Sequence, residues 1–556
     1  MTVPRTLLVL DDDPTGSQCV HDVDVVLELD PAPVLDVVRH PGRTCFVLTN
    51  SRARPEAEAV AINTELVSAV LEALAAEHLP LPHLVSRSDS TLRGHVIAEP
   101  TALADVLARH GVAVDGFLLA PAMLEAGRYT EDDVHYAVLQ GRPMPVGETD
   151  FAADATFGYS SSDLKDFLVE RSGGTLDRDA ILSIGLTDIR SGGVDAVAGI
   201  LRRARDRAWV VVNATEYADL DTVAQALAVL EAEGRTFVTR CGPSFVRPLA
   251  GLTGSRELGP EDIVVGPGRL PHGLVAVGSH VGLTNRQLAE LRTRRDLFEV
   301  ELHVPTLLDD DARPGYVADA VERITEALRT SDAVVWTSRE LVRTDDPDES
   351  LAIARSVSDA LVEVVHGVAQ ARPAWVVAKG GITSHEVAHR GLGIRRATVA
   401  GQFFPGQISM FQPTDAPDTT RGGPYVVFPG NVGTESALAD VVEVLDRAAA
   451  HTRTSDPQEN PSWAHPCPSA SWDWAPWAPP WPSPWPAPAS PSAASTSPPA
   501  PGRWWATPWS CWPTPGRRRP ARTSSSSWSR PGRSCTTSCS ASAASPTPWT
   551  RTRSCS

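Results

Sequence analysis

Three consecutive carboxylates, Asp11, Asp12 and Asp13, follow the apolar run Leu7–Leu10 and precede a Pro-Thr-Gly turn. Like charges packed that closely repel one another unless a cation, basic side chains or donating hydroxyls offset them. A solvated acidic turn is the bland alternative. Matching polar clusters further along the chain argue against it. Thr49-Asn50-Ser51-Arg52 follows one apolar run, SRSDSTLRGH (Ser86–His95) follows the next, and PAMLEAGR (Pro121–Arg128) the one after. Arginine forks suit a carboxylate, while Asp, Ser and Thr suit hydroxyls. Together Asp12, Arg52, Arg87, Asp89, Ser90, Thr91, Arg93 and Arg128 would line a pocket for a small, anionic, polyhydroxylated molecule. Each arginine alone reads more simply as a surface ion pair; four of them after successive strands favour the pocket.

A second kind of chemistry lies in the later half. LVAVGS runs into Ser279 and His280, Trp375–Ala378 runs into Lys379-Gly380-Gly381-Ile382-Thr383-Ser384, and Tyr425–Phe428 runs into Pro429-Gly430-Asn431-Val432-Gly433-Thr434. A strand that empties into glycines and then a helix start presents free backbone N–H groups, a ready place for phosphate. Lys379 adds a point charge, and Thr383 or Ser384 a cap or a metal contact. No G-x-x-x-x-G-K-[ST] string occurs, so the chain is not a P-loop protein. His280 and His385 sit in these joints, but lone histidines are more often structural.

The elements that must position these residues are short apolar strands alternating with helical patterns. Strand-like runs fall at Leu7–Leu10, Cys45–Thr49, Leu84–Ser86, Phe117–Ala120 and Trp209–Asn213, with helical patterns at Pro55–Glu77 and Thr101–His110. This alternation predicts an α/β fold of two doubly wound domains with mostly parallel sheets, residues 1–250 and 260–450. The loops after the first four strands should meet at one sheet edge, where ligands of such sheets collect.

The formal charge of −18 over 556 residues argues against a nucleic-acid partner. From Pro461 to Ser556 the chain has no Val, Ile, Leu, Met, Phe, Tyr, Lys, Asn or Gln, yet holds 12 of its 15 Trp and 5 of its 8 Cys. That segment cannot bury enough surface to offset its ordering entropy, so a disordered tail is expected over 452–556. It carries a local balance of +7, which leaves the body near −25. A Pro-rich ligand and a basic tail rank below a third reading, coding sequence translated out of frame: WAPWAPPWPSPW (Trp474–Trp485), shifted by one base, gives a glycine spacing like that of a dehydrogenase dinucleotide turn. Cys19, Cys45 and Cys241 are too few and scattered for zinc or disulfides. No apolar leader or membrane-spanning run is evident, so the expectation is a reduced, cytoplasmic protein without a membrane partner, its assembly into a homo-oligomer left open.

DDDPTG, SRSDSTLRGH, APAMLEAGRYT, VGSHVGLTNRQL, KGGITS and FPGNVG, in that order from about residue 5 to about 447, resemble the four-carbon acid sugar kinase family. DSTLRG and the paired PA…EAGR are the most specific parts. The resemblance implies two α/β domains, the first for a sugar acid such as threonate, erythronate or 3-oxo-tetronate, the second for ATP with Mg2+. It implies that Asp12 and Asp13 match the family's Asp pair, one of them touching substrate, and in the mechanism that follows one of the two accepts the proton of the attacking hydroxyl or holds it in line. It further implies that Arg52 and Asp89–Arg93 line the sugar acid site and that Ser279, Gly380–Thr383 and Gly430–Gly433 hold the nucleotide. Departures from the family pattern lie in the sugar pocket: Asp-Asp-Pro-Thr-Gly-Ser followed by Gln18 replaces Asp-Asp-Phe-Thr-Gly-Ala, and Ser86-Arg87 stands where many members have a Lys. They bear on which acid is used. The mechanism expected is phosphoryl transfer with one lobe closing on the other; a non-catalytic sugar-acid sensor and a bifunctional kinase–dehydrogenase are the rivals.

Overall fold

Leu7 and Val9 face one hydrophobic cluster, Leu8 and Leu10 another, so the first strand is apolar on both sides because both sides are covered. The structure, a computed structural model, describes residues 5–13, 15–279, 281–338 and 347–454. Pro14, His280 and the tail expected from 452 lie outside them, except that residues 452–454 complete the helix Ala437–Thr454.

The strands are β1 Leu7–Asp11, β2 Asp24–Val26, β3 Thr44–Leu48, β4 His83–Arg87, β5 Gly116–Ala120, β6 Arg128–Glu131, β7 Val134–Leu139, β8 Arg142–Pro145 and β9 Leu182–Ile184. The chain continues through β10 Ala208–Val212, β11 Phe237–Cys241, β12 Leu274–Val277, β13 Leu297–Leu302, β14 Asp332–Thr337, β15 Val376–Lys379, β16 Arg396–Phe404, β17 Gln407–Asp415 and β18 Tyr425–Phe428. Fifteen of them form one sheet in the order β13-β14-β12-β15-β18-β17-β16-β2-β3-β1-β4-β11-β5-β10-β9. Its two wings are parallel and doubly wound, as the strand–helix alternation predicts.

The wings are joined by the β16–β17 hairpin, which pairs antiparallel with β2 on one side and with β18 on the other. The hairpin also reaches the loop after β1: Gln402 Nε2 donates to the Val20 carbonyl at 2.5 Å, and Ser409 Oγ to that of Ser17 at 3.3 Å. A second sheet, β6-β7-β8, stands beside the first wing.

Sequence order does not give strand order throughout. β4 and β5 are not neighbours, because β11 lies between them in parallel register, Arg240 opposite Ser86 on one side and Leu119 on the other. The helix Glu56–Ala76 is long and apolar enough to cross a membrane by length and composition. Here Ala59, Leu66, Val67, Val70, Leu71 and Leu74 are buried. These six apolar positions are core positions.

Candidate functional site

β1, β3, β4 and β11 point their carboxyl ends the same way and deliver Asp11–Asp13, Arg52, Arg87–Asp89 and Arg240 to one place. Asp11 is fully buried and accepts from Arg87 Nη1 at 2.7 Å. Burial, partly opposed by Arg87 and Arg52, raises its carboxyl to about 6. Arg87 is itself buried and committed to Asp11. Asp13 is paired with Arg52 Nη2, and it accepts from the Thr15 amide at 2.8 Å and the Thr15 hydroxyl at 2.5 Å.

Asp12 differs from both neighbours. It is 2 % exposed, and neither carboxylate oxygen has a hydrogen-bond partner among the described residues. Two guanidinium groups stand just beyond contact, Arg52 Nη1 at 3.8 Å from Oδ1 and Arg240 Nη2 at 3.6 Å from Oδ2. Burial lifts its carboxyl to about 7, against the pull of Arg52 and Arg240. Gly94 of the DSTLRGH segment lies directly over it. With φ of +114° and a would-be Cβ 2.8 Å from Asp12 Oδ2, no other residue fits there.

Asp89 is the counterweight. Burial would raise its carboxyl, but Arg52 at 3.7 Å, Arg93 Nε at 2.8 Å and the Thr91 hydroxyl hold it down at about 2. Arg93 also reaches Asp154 at 3.7 Å. Ser90 is buried, its hydroxyl 3.6 Å from Met123 Sδ.

Arg128 has no carboxylate within ion-pair distance among the described residues. Its Nη1 meets only Met123 Sδ at 3.6 Å, its Nε is buried without a partner, and its guanidinium lies 5.5 Å from the Phe151 ring centroid. Burial, only partly opposed by the Asp89 charge, pulls it below its ordinary pKa. Arg93 lies at 5.6 Å from the same ring.

Three members of this cluster were not legible in the sequence. Arg240, 1 % exposed, donates to Ser86 Oγ at 2.7 Å and to Glu99 at 2.5 Å. Glu99 accepts in turn from Ser51 Oγ at 2.5 Å, bracing the loop that carries Arg52. His135 on β7 is fully buried between Thr130 Oγ1 at 2.9 Å and the Ser90 carbonyl at 2.8 Å, and burial lowers it to about 4. It is therefore neutral at pH 7. The one available signal was for Arg240: Phe237–Cys241 is a short strand-like run ending at Gly-Pro.

In the other wing, the joints after β12, β15 and β18 come together. Gly278 and Ser279 donate their amides to the Lys379 carbonyl at 3.2 Å, and Gly380 donates its own to the Phe428 carbonyl at 2.8 Å. Thr284 Oγ1 bridges Ser279 Oγ at 3.1 Å and the Gly430 carbonyl at 3.0 Å. Gln287 Nε2 holds the Gly430–Thr434 loop through the carbonyls of Val432 at 3.0 Å and Thr434 at 2.8 Å. A Cβ on Gly278 would stand 2.2 Å from Thr383 Oγ1, so the first and second turns touch. Ile382 is 66 % exposed beside the glycines. Ser384 is turned inward onto the Ala378 and Gly380 carbonyls at 2.8 and 2.7 Å. Lys379 is fully buried, its Nζ on the Pro429 carbonyl at 2.7 Å, and burial lowers it to about 7.

The two clusters adjoin. A Cβ on Gly381 would lie 3.8 Å from the Thr15 methyl, so the second glycine turn abuts the loop that carries Asp11–Asp13. Among the described residues no three His, Cys, Asp or Glu side chains are grouped to hold a metal ion. One half of the site thus gathers charged side chains, the other glycine turns and hydroxyls.

Comparison with known proteins bears on the same two halves. A sugar-binding N-terminal domain matches residues 7–249, and a nucleotide-binding C-terminal domain matches residues 274–438. Among solved structures, a Salmonella typhimurium LT2 protein is similar at 17 % identity and TM-score 0.58, over 78 % of this chain and 98 % of its own. The Haemophilus influenzae protein HI1011 is similar at 15 % identity and TM-score 0.54, over 80 % and 99 %. Both likenesses concern the fold alone. No curated protein matches the chain. With the sugar-binding and nucleotide-binding domains present in that order, the chain belongs to the four-carbon acid sugar kinase family.

Proposed function

We propose that the chain is an ATP-dependent kinase that phosphorylates a terminal hydroxyl of a four-carbon sugar acid of the threonate, erythronate or 3-oxo-tetronate type. The observation that carries this reading is Asp12: a buried carboxylate without a hydrogen bond, between two guanidinium groups 3.6 and 3.8 Å away, one loop from a glycine turn. Such a group has unused acceptor capacity, and a substrate hydroxyl can take it up.

In this reading Asp12 accepts the proton of the attacking hydroxyl as its oxygen bonds to the γ-phosphorus, and the β–γ bridging oxygen leaves with ADP. Asp13, already engaged by Thr15 and Arg52, shapes the loop and keeps Arg52 in place. Arg128, the half-buried cation without a carboxylate, takes the acid group of the substrate. Asp89, Ser90, Thr91 and Arg93 address its hydroxyls. Arg87, bound to Asp11, supports the floor of the pocket. The Gly278, Ser279 and Gly380 amides are taken up within the turns, so the hydroxyl of Ser279 and the remaining amides and hydroxyls of Gly380–Thr383 and Gly430–Gly433 hold the phosphates. Mg2+ enters as the partner of ATP, screening charge on the phosphates, and each role above belongs to the chain's own side chains and amides. Phosphoryl transfer asks chiefly for positioning and charge neutralisation, which is what this arrangement offers. A kinase of small metabolites works where ATP is abundant, and we assign it to the cytoplasm.

The test is a coupled assay of ADP release with a panel of tetronates and 3-oxo-tetronates. At least one four-carbon acid is expected to stimulate ADP release, while the corresponding uncharged polyols do not. Binding of acid and nucleotide without ADP release would overturn the kinase in favour of a sensor.

A further inference from the structure

We propose that Lys379 is a positioning residue for the nucleotide: from inside the sheet it ties the three glycine turns into one phosphate-facing surface. The inference rests on reading the second wing as the ATP site, and it changes the part the lysine plays there. As a strand-end lysine in a Lys-Gly-Gly turn, it would be expected to reach out to a phosphate. Its Nζ instead lies fully buried, 2.7 Å from the Pro429 carbonyl and 3.8 Å from the Phe428 ring centroid. It forms no ion pair among the described residues. An apolar side chain would fill that volume at less desolvation cost, so the lysine is kept for what it connects.

It connects all three turns. Its carbonyl accepts the amides of Gly278 and Ser279, which sets the first turn. Its backbone leads into the second, where the Gly380 amide is held by Phe428. Its ammonium holds the Pro429 carbonyl, which sets the start of the third. The packing leaves no slack between first and third turns, since a Cβ on Gly430 would stand 2.6 Å from Ser279 Oγ. Releasing Pro429 therefore shifts Gly430, and with it Ser279.

The experiment uses the full chain and measures ATP and ADP affinity by calorimetry, together with the KM of the sugar acid, for Lys379→Met, Lys379→Gln, Gly430→Ala and the Lys379→Met/Gly430→Ala pair. Loss of a hydrogen bond from a charged donor predicts about ten-fold weaker ATP binding in Lys379→Met, with ADP weakened equally and the sugar-acid KM unchanged. Lys379→Gln, which keeps a donor on a shorter arm, should recover part of the loss. The double variant should be no worse than the weaker single variant, because both release the same turn.

A loss much larger for ATP than for ADP means the ammonium touches the γ-phosphate, and the proposal fails. Wild-type ATP affinity in Lys379→Met, or equal losses for ATP and the acid, overturns it as well. Should Lys379→Met not fold, Lys379→Gln with Gly430→Ala carries the same cycle. A wild-type chain that binds no ATP would sink the nucleotide reading itself, a result distinct from all of these.

Discussion

In the first wing, five arginines (Arg52, Arg87, Arg93, Arg128, Arg240) and five carboxylates (Asp11, Asp12, Asp13, Asp89, Glu99) gather at and beside the carboxyl ends of β1, β3, β4 and β11. Around Gly380, a few ångströms beyond Thr15, the same kind of strand ends carry glycines, hydroxyls and one lysine turned inward. Both regions are suited to anions, and they differ in what does the holding. In the first wing, charges are balanced pair by pair until two groups are left over, Arg128 without a carboxylate and Asp12 without a hydrogen bond. In the second, the strand ends carry glycine turns, and side chains such as Thr284, Gln287 and Lys379 serve to fix them. A site made of charges can be tuned to one substrate by single substitutions, whereas a site made of backbone depends on glycines that leave room.

The largest expected effect comes from removing the leftover carboxylate. Asp12→Asn should lower turnover on the order of 10³-fold, the usual worth of a positioned base, with ATP affinity unchanged. Retained turnover in a steady-state assay would move the base to Asp13 or elsewhere. Arg128→Gln should raise the KM of the sugar acid by roughly 10- to 100-fold, the worth of a charge-assisted contact, and leave the KM of ATP alone. Gly278→Ala should do the reverse, because its methyl would press on Thr383 Oγ1: ATP KM rises about ten-fold while the acid is unaffected. Any variant that moves both constants together breaks the division between the wings.

The smallest effects are on stability, and they have opposite signs within the first wing. Folding raises the Asp12 carboxyl from 3.8 to about 7, so the native state holds that proton more tightly than the unfolded chain. The penalty sets in as pH rises past the unfolded value and is complete above about 7. Asp12→Asn should therefore stabilise the protein at pH 8 more than at pH 4. Asp89 goes the other way. Its carboxyl falls from 3.8 to about 2, so it adds stability above the unfolded value that is lost as pH drops through the folded one. Asp89→Asn should cost about 1–2 kcal/mol at pH 8, and denaturant titration of the two variants reads the contrast directly.

The parallel architecture was legible because its strands are continuous apolar runs; Tyr425–Phe428 is bounded identically in sequence and structure. The loops that carry Asp12, Arg52, Asp89 and Arg128 could be found the same way, as polar residues immediately after such runs. What hid the rest was burial of charge. Phe237–Cys241 contains Thr239 and Arg240, and a strand with a buried guanidinium is only weakly marked by hydrophobicity, so β11 and the second cation beside Asp12 do not stand out in the sequence. Glu99 sits in the first turn of a helix, where an acidic residue is ordinary. His135 lies on a strand of the small β6-β7-β8 sheet, which has none of the apolar continuity of the main one. The β16–β17 hairpin that joins the wings pairs across some 370 residues with β2, a connection no local pattern encodes.

The pH dependence of kcat/KM for the sugar acid, which reports the ionisations of the enzyme before that acid binds, tests the role of Asp12 most directly. That ratio should climb with pH as the buried carboxyl ionises, levelling off above about 7, and Asp12→Asn should abolish the rise. A flat wild-type profile, or an Asp12→Asn variant that keeps both the ratio and its rise, would contradict that role.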